Sequence, residues 1–201
     1  MDKNMGKPFS QACENNKPFI LNVLRRNFAD CTHVLEIGSG TGQHAVHFAQ
    51  HLPHLIWQAS DLAENHAGIE LWLNEATTEN LRPPLTLDVT QSSWPIHQVD
   101  GVFSANTAHI MPWEAVVAMI AGIGQILASG GIFCLYGPMN YLGKFTSASN
   151  VCFDLWLKEQ VSHQGIREFH DINRLALQAG MVLLEDNAMP ANNRTLVWQK
   201  I

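Results

Sequence analysis

The chain has 201 residues, of which 46% are hydrophobic and 15% charged, and 12 basic against 18 acidic residues give a formal net charge of −6. This length and apolar content predict one domain, residues 1–201, with enough material for a core. The acidic balance argues against nucleic acid as a partner, and the apolar runs fall short of the roughly 20 residues that a membrane span needs.

The N-terminal residues MDKNMGKPFSQ contain no apolar signal core, so we expect a cytoplasmic protein. The four cysteines are scattered without a C-x-x-C pair, which favours free thiols over disulfides or a zinc site. The first predicted element is a helix over residues 17–27, with Asn16 as its cap and Pro18 in its first turn. The segment 1–28 is thus predicted to contain this N-terminal helix and a candidate lid.

Residues 34–42, VLEIGSGTG, predict a strand that turns sharply into a helix. Three alternate glycines, Gly38, Gly40 and Gly42, permit positive φ and the close approach of a ligand to the backbone. The dinucleotide pattern G-x-G-x-x-G would require glycine at position 43, which is glutamine, and a P-loop would require a lysine that is absent. The alternative is a glycine-rich turn that binds no ligand.

With Glu36 two residues before the first glycine, this segment resembles motif I of the class I S-adenosylmethionine-dependent methyltransferases. The resemblance implies that Glu36 and the turn, Ser39 included, hold the methionine part of S-adenosylmethionine. A carboxylate suits the cationic amino and sulfonium groups of that cofactor.

Acidic residues also end the next two predicted strands. Asp61, 19 residues after Gly42, is followed by Leu62 and stands where a doubly wound fold binds a ribose diol. Asp88, followed by Val89, ends the third strand, and in methyltransferases an acid there commonly faces the adenine amino group. Either carboxylate could instead cap the helix that follows.

The predicted elements alternate along the chain, which indicates a parallel sheet with helices on both faces. We therefore predict an α/β, Rossmann-like class I methyltransferase fold, a seven-stranded, mostly parallel sheet of order 3-2-1-4-5-7-6 with the last strand antiparallel. The predicted strands are 33–38, 55–60, 85–89, 99–104, 132–136, 181–186 and 194–199, and the predicted helices after the first are 42–52, 64–76, 112–127, 150–160 and 171–179.

Asn106 and His109 follow the fourth predicted strand, beside the expected position of the reactive methyl group. A histidine there can accept a proton as an oxygen or nitrogen is methylated, so both residues are predicted to be catalytic, and Asn106 also to contact the cofactor. The alternative is that Asn106 caps a turn and His109 packs beneath the cofactor. An N-P-P-[YF] tetrapeptide, typical of amino-directed DNA and protein methylation, is absent.

A histidine row and a long polar segment are the two remaining features of the sequence. His44, His47 and His51 are predicted to form a solvated stripe on the second helix, not a metal site, opposite a core face containing Phe48. Residues 137–150, with their hydroxyls, amides and aromatics, are predicted to form a substrate loop; the alternative is an irregular connection in which Ser149 caps the next helix.

Over nearly its whole length, the chain resembles the methyltransferase-like 26 family, whose substrate is unassigned. The resemblance implies the fold and the cofactor, and departs from the family pattern at Cys13 and Asn15. It rests on the stretches SQACENNKPFIL (10–21), VLEIGSGTGQHAVHFA (34–49), LPHLIWQASD (52–61), RPPLTLDV (82–89), ANTAHIMPW (105–113), YGP (136–138), FTS (145–147), SN (149–150), FDLWL (153–157), GIR (165–167) and AMPANN (188–193).

The polar residues outside the cofactor motifs favour a small polar methyl acceptor. The predicted substrate residues are Ser10, Asn16, Lys17, Tyr136, Asn140, Thr146, Asn150, Asn192 and Asn193. The expected function is S-adenosylmethionine-dependent methylation of a small cytosolic molecule. The alternative is a non-catalytic protein that binds S-adenosylmethionine or S-adenosylhomocysteine as a sensor or partner subunit, and the sequence leaves the acceptor and the oligomeric state open.

Overall fold

A computed structural model describes residues 6–201, so the first five residues of the predicted segment 1–28 lie outside the described residues. From residue 33 to residue 86 strands and helices alternate, as predicted, and the strand at 99–105 then follows without an intervening helix. In chain order the elements are α1 (Gln11–Asn27), β1 (His33–Ile37), α2 (Gln43–His51), β2 (Ile56–Asp61), α3 (His66–Leu73), β3 (Leu81–Thr86), β4 (Val99–Ala105), α4 (Trp113–Ile126), β5 (Leu127–Gly137), β6 (Met139–Asn140), α5 (Ala148–Gln160), β7 (Arg167–Glu168), α6 (Phe169–Gln178), β8 (Met181–Met189) and β9 (Asn193–Lys200), with 3₁₀ turns at Ala63–Asn65 and Pro190–Asn192.

The main sheet has seven strands in the order β3-β2-β1-β4-β5-β9-β8. The five strands from β3 to β5 are parallel, whereas β9 pairs antiparallel with both β5 and β8. The short strands β6 and β7 pair with each other in a separate sheet. Without those two strands the order is the predicted one, and the Rossmann-like methyltransferase fold is confirmed.

Two hydrophobic clusters cover the two faces of the sheet. Along β1, Val34 packs into the cluster that contains α1 and α2, while Leu35 packs into the cluster that contains α4 and α6. This alternation follows from the two-residue period of a strand. Because both faces are covered, ligands can approach the parallel strands from their carboxyl ends, where the predicted site residues lie.

Several predicted boundaries were wrong. Helix α1 begins at Gln11, not at residue 17, because Ser10 caps it by accepting a hydrogen bond from the Cys13 backbone at 3.3 Å. Strand β3 covers Leu81–Thr86 and so ends two residues before Asp88; its two prolines are tolerated because β3 is an edge strand. Helix α5 is capped by Ser147, not by Ser149.

The segment 137–150 is also more ordered than the predicted loop. Met139 and Asn140 pair with β7, and the backbones of Tyr141 and Lys144 hydrogen-bond to each other in a tight turn. Helix α5 then begins at Ala148. The sequence pattern missed these features because the pairing of β6 with β7 joins residues far apart in the chain.

Candidate active site

A cavity of about 630 Å³ opens at the carboxyl ends of the parallel strands. The glycine turn after β1 forms one wall, and the segments after β2, β3 and β4 form the others. Ser10, the cap of α1, and Cys13 in its first turn also line the cavity. Of the residues predicted to bind a cofactor, those that line the cavity are Gly38, Ser39, Gly40, Asp61, Leu62, Asp88, Val89 and Asn106.

The glycine turn brings bare backbone to the cavity. Gly38, Gly40 and Gly42 have φ values of +74°, +57° and +88°, a region that side chains with a Cβ rarely adopt. A Cβ on Gly38 would lie 2.5 Å from the Thr107 side chain, and one on Gly42 would lie 3.1 Å from the backbone oxygen of Ile69. A Cβ on Gly40 would meet no described atom within 4 Å, so at Gly40 the backbone borders open space.

Glu36 lies beneath the glycine turn and is 1% exposed. Its Oε2 accepts hydrogen bonds from the Ser39 hydroxyl at 3.0 Å and from the Trp57 indole at 3.1 Å. Burial raises the pKa of Glu36 to about 7, and the charge of Asp61 adds to that shift. Glu36 thus braces the turn through Ser39 and is not among the described residues that line the cavity.

Two carboxylates line the cavity. Asp61 accepts hydrogen bonds from the Gly40 backbone at 2.7 Å and from the Leu62 backbone at 2.8 Å. Asp88 accepts from the backbone and the hydroxyl of Thr90, at 2.9 and 2.7 Å, and these bonds lower the pKa of Asp88. Within residues 6–201 no lysine or arginine lines this cavity, so its wall favours a cationic ligand over an anionic one.

The two predicted catalytic residues lie in different surroundings. Asn106 lines the cavity and has a φ of +59°. Its backbone N–H donates to the backbone oxygen of Tyr136 at 2.9 Å. His109 is 5% exposed, packs edge-on against Phe153 at 5.5 Å and is not among the cavity-lining residues of the described chain. Burial, together with the charge of Arg167, lowers the pKa of His109 to about 4.

The predicted solvated histidine stripe on α2 was wrong at its first member. His44 is 5% exposed, lines the cavity and stacks on Phe48 with a centroid distance of 5.2 Å. His47 is half-buried, and His51 is exposed as predicted. The pattern failed because α1 packs over α2, a contact that helical periodicity does not reveal. In the part of the chain described, no cluster of histidine, cysteine, aspartate or glutamate could hold a metal ion.

The predicted substrate residues fall into separate groups. Near α1, Ser10 lines the cavity, Lys17 pairs with Glu14, and the Asn16 Oδ1 lies 2.7 Å from the His44 Nε2. Tyr136, at the end of β5, is buried on the same side of the sheet.

The other predicted substrate residues lie where α5 meets the β8–β9 connection. The Asn150 amide donates to the Thr146 hydroxyl at 3.0 Å and to the Asn192 backbone oxygen at 3.2 Å. The Asn193 amide donates to the backbone oxygen of Pro190. Asn140 is buried, and its Oδ1 has no hydrogen-bond partner among the described residues. These five predicted residues, Asn140, Thr146, Asn150, Asn192 and Asn193, belong to the segments beside β5 and are not among the described residues that line the cavity.

Gln43 is a site residue that the sequence did not assign. Its Oε1 accepts from the Ser10 backbone at 2.6 Å, and its Nε2 donates to Glu14 at 2.7 Å. These bonds hold the first turn of α1 against the start of α2. The sequence contained a signal for this role, because position 43, where a dinucleotide motif has its third glycine, is a polar glutamine.

The model of a family described as "Protein of unknown function (DUF938)" matches residues 7–200. The chain belongs to the DUF938 family. No helix within residues 6–201 of this DUF938 chain is long and apolar enough to cross a membrane.

Solved methyltransferase structures share the fold of the DUF938 chain. One is the S-adenosylmethionine-dependent methyltransferase SibL, with a TM-score of 0.78 and 18% identity over 94% of this chain and 55% of that one. Another is human N-acetylserotonin methyltransferase in complex with S-adenosylmethionine, with a TM-score of 0.79 and 14% identity over 94% of this chain and 53% of that one. A third is an O-methyltransferase family 2 protein from Planctomyces limnophilus in complex with apigenin, with a TM-score of 0.82 and 13% identity over 94% of this chain and 58% of that one. The chain spans about half the length of these proteins, and at such identities the similarity establishes the fold.

Proposed function

We propose that this DUF938 protein is a class I S-adenosylmethionine-dependent methyltransferase that acts on a small polar molecule. The observation that carries the proposal is the cavity wall, which joins a bare glycine turn to two carboxylates and, within residues 6–201, contains no lysine or arginine. A sulfonium cofactor with an amino group, a ribose diol and an adenine matches this wall in charge and in hydrogen-bonding chemistry. The fold shared with S-adenosylmethionine-dependent enzymes supports the proposal.

Each cofactor part has candidate residues in the DUF938 chain. Gly38, Ser39, Gly40 and Gly42, braced by Glu36, would hold the methionine part. Asp61 and Leu62 would bind the ribose, Asp88 and Val89 the adenine, and Asn106 the region near the methyl group. When bound, the cofactor supplies an electrophilic methyl group on a sulfonium, so the work left to the protein is mainly to position the acceptor and exclude water.

Asn106 is the stronger of the two catalytic candidates because it lines the cavity, whereas His109 lies behind it. We propose that Asn106 orients the acceptor and that His109 supports the segment that carries Asn106. The predicted substrate residues, the N-terminal lid within residues 1–28 and the loop 137–150 remain proposals for the acceptor side.

The wider assignments are part of the same proposal. We place the chain close to the methyltransferase-like 26 family, as one catalytic domain over residues 1–201 that works in the cytoplasm. The formal charge of −6 supports a small-molecule acceptor over nucleic acid. The absence of a basic side chain from the described cavity wall points the same way.

The first test is calorimetric titration of the purified protein with S-adenosylmethionine and S-adenosylhomocysteine, with the Gly40→Val variant as control. We expect micromolar binding that the variant loses, because its side chain would enter the space beside the turn. A folded wild-type protein that binds neither compound would contradict the proposal. If it binds, incubation with methyl-labelled cofactor and a small-molecule cell extract separates an enzyme from a non-catalytic binding protein, since the enzyme alone labels extract molecules.

A further inference from the structure

The end of the cavity under α1 contains an imidazole with one ring nitrogen free. His44 lines the cavity, and its ring is fixed by stacking on Phe48 at 5.2 Å and by an edge contact with Phe103 at 6.1 Å. The Nε2 lies 2.7 Å from the Asn16 Oδ1. An amide oxygen can only accept a hydrogen bond, so Nε2 carries the proton and Nδ1 has a lone pair. Nδ1 makes no hydrogen bond to any residue in the described range 6–201.

The Asn16 amide that faces His44 is itself buried. Asn16 is 7% exposed in the interior of α1, and the atom that it turns toward the His44 ring is its Oδ1. Burial raises the pKa of Tyr136, and the neighbouring Asn16 side chain partly opposes that shift. A buried amide oxygen needs a donor, and the His44 Nε2–H supplies one.

Burial and the neighbouring charges keep the His44 ring neutral. Burial, together with the charges of His47 and Lys17, lowers the pKa of His44 to about 4, against a weaker opposing effect of Glu14. Lys17 itself is paired with Glu14. A bound carboxylate or phosphate would thus meet a neutral acceptor nitrogen and the two cavity carboxylates, Asp61 and Asp88, without a free cation on the described wall.

We propose that the His44 Nδ1 anchors the methyl acceptor by accepting a hydrogen bond from its hydroxyl or amine, and that the acceptor is an uncharged or cationic small molecule, not a carboxylate or a phosphate. This inference rests on the proposed methyltransferase function. His44 is then an acceptor-binding residue, and Asn16 is the residue that positions it.

The test uses His44→Gln, which places an amide NH₂ near the former Nε2, where it can still donate to Asn16, but has no counterpart of Nδ1. His51→Gln, on the exposed side of the same helix, is the matched control. A small-molecule cell extract is first separated by anion exchange into an unretained fraction, with neutral and cationic molecules, and a retained anionic fraction. Each fraction is incubated with methyl-labelled S-adenosylmethionine and each protein.

We expect the wild type and His51→Gln to label the unretained fraction, and His44→Gln to label it about tenfold less while binding S-adenosylhomocysteine with unchanged affinity. Label confined to the anionic fraction, or full activity of His44→Gln, would overturn the inference. A wild type that binds cofactor but labels neither fraction would refute the methyltransferase proposal itself, and the inference with it.

A second measurement does not depend on turnover or on the folding of a variant. Nitrogen-15 spectra of histidine-labelled wild-type protein, with and without S-adenosylhomocysteine, report which ring nitrogen of His44 carries the proton. We expect the proton on Nε2 in both states. A proton on Nδ1 would leave no lone pair for the acceptor and would refute the anchor role even if the protein is an active methyltransferase.

Discussion

Replacing Glu36 by glutamine should change how the stability of the protein depends on pH. Burial raises the pKa of Glu36 from an ordinary value of 4.5 to about 7, so ionising this carboxyl opposes folding. Because the folded-state pKa is the higher one, the cost is absent below pH 4.5, grows between pH 4.5 and 7, and is complete above pH 7. A shift of this size corresponds to about 3 kcal/mol of unfolding free energy at full ionisation.

Glutamine keeps an oxygen that can accept from Ser39 and Trp57 but does not ionise, so Glu36→Gln removes this pH-dependent cost. Relative to the variant, the wild type should lose about 2–3 kcal/mol of unfolding free energy between pH 5 and pH 8. Urea denaturation of both proteins across that range measures the difference, and the contributions of the buried histidines, present in both proteins, cancel.

Glu185→Gln is the matched control for this experiment. Hydrogen bonding to Arg26 lowers the pKa of Glu185, so its contribution is complete above pH 4.5 and should stay constant from pH 5 to 8. Parallel pH profiles for the wild type and Glu36→Gln would show that Glu36 ionises as an ordinary carboxyl. The assignment of Glu36 as a buried, half-ionised brace of the glycine turn would then be wrong.

Three further predictions concern the turn, the segment after β4 and the buried histidines. Gly40→Ala should lower the unfolding free energy by about 1–2 kcal/mol because alanine is strained at the positive φ of this position, and thermal unfolding measures this effect. The added methyl group borders the open space beside the turn, so calorimetry should show S-adenosylhomocysteine binding weakened more than tenfold. Arg167→Met should lower the unfolding free energy by about 2 kcal/mol in urea titrations, because the guanidinium donates to three backbone oxygens, and an unchanged midpoint would contradict this. Burial lowers the pKa values of His44 and His109 from 6.5 to about 4, so protonating either ring opposes folding. As the pH falls from 6.5 to 4, each should reduce the unfolding free energy by up to about 3 kcal/mol. Urea denaturation over that pH range should show a smaller decrease for His44→Gln than for the wild type.

The fold and the cavity wall that we propose to bind the cofactor were predictable because they depend on local patterns. The strand, the alternate glycines and the helix at residues 33–51 are encoded within one stretch, and Asp61 and Asp88 follow β-like runs. A parallel sheet then brings the ends of separate strands to one edge, so Asp61, Asp88 and Asn106 meet at the cavity without further information.

The part of the wall beside α1, which we propose to bind the acceptor, was not predictable in the same way because it depends on packing between distant segments. Helical periodicity assigned His44 to solvent, since nothing in residues 43–52 indicates that α1 lies over that face. The contact of His44 with Asn16 joins residues 28 positions apart. The start of α1 was missed for a different reason. Asn16 and Pro18 resemble a helix start, whereas the cap is Ser10, whose side chain accepts from the Cys13 backbone.

Gln43 connects these two sides of the site. In a dinucleotide-binding turn, the glycine at this position lets the helix pack closely on the strand, with the pyrophosphate at the helix N-terminus. Here the side chain of Gln43 is 2% exposed and bonds to Ser10 and Glu14, so α1 covers the helix start. The residue that argues against a dinucleotide therefore also holds α1 in place. Because α1 carries Asn16, which contacts His44 on the cavity wall, we expect Gln43 to help place the residues that we propose to bind the acceptor.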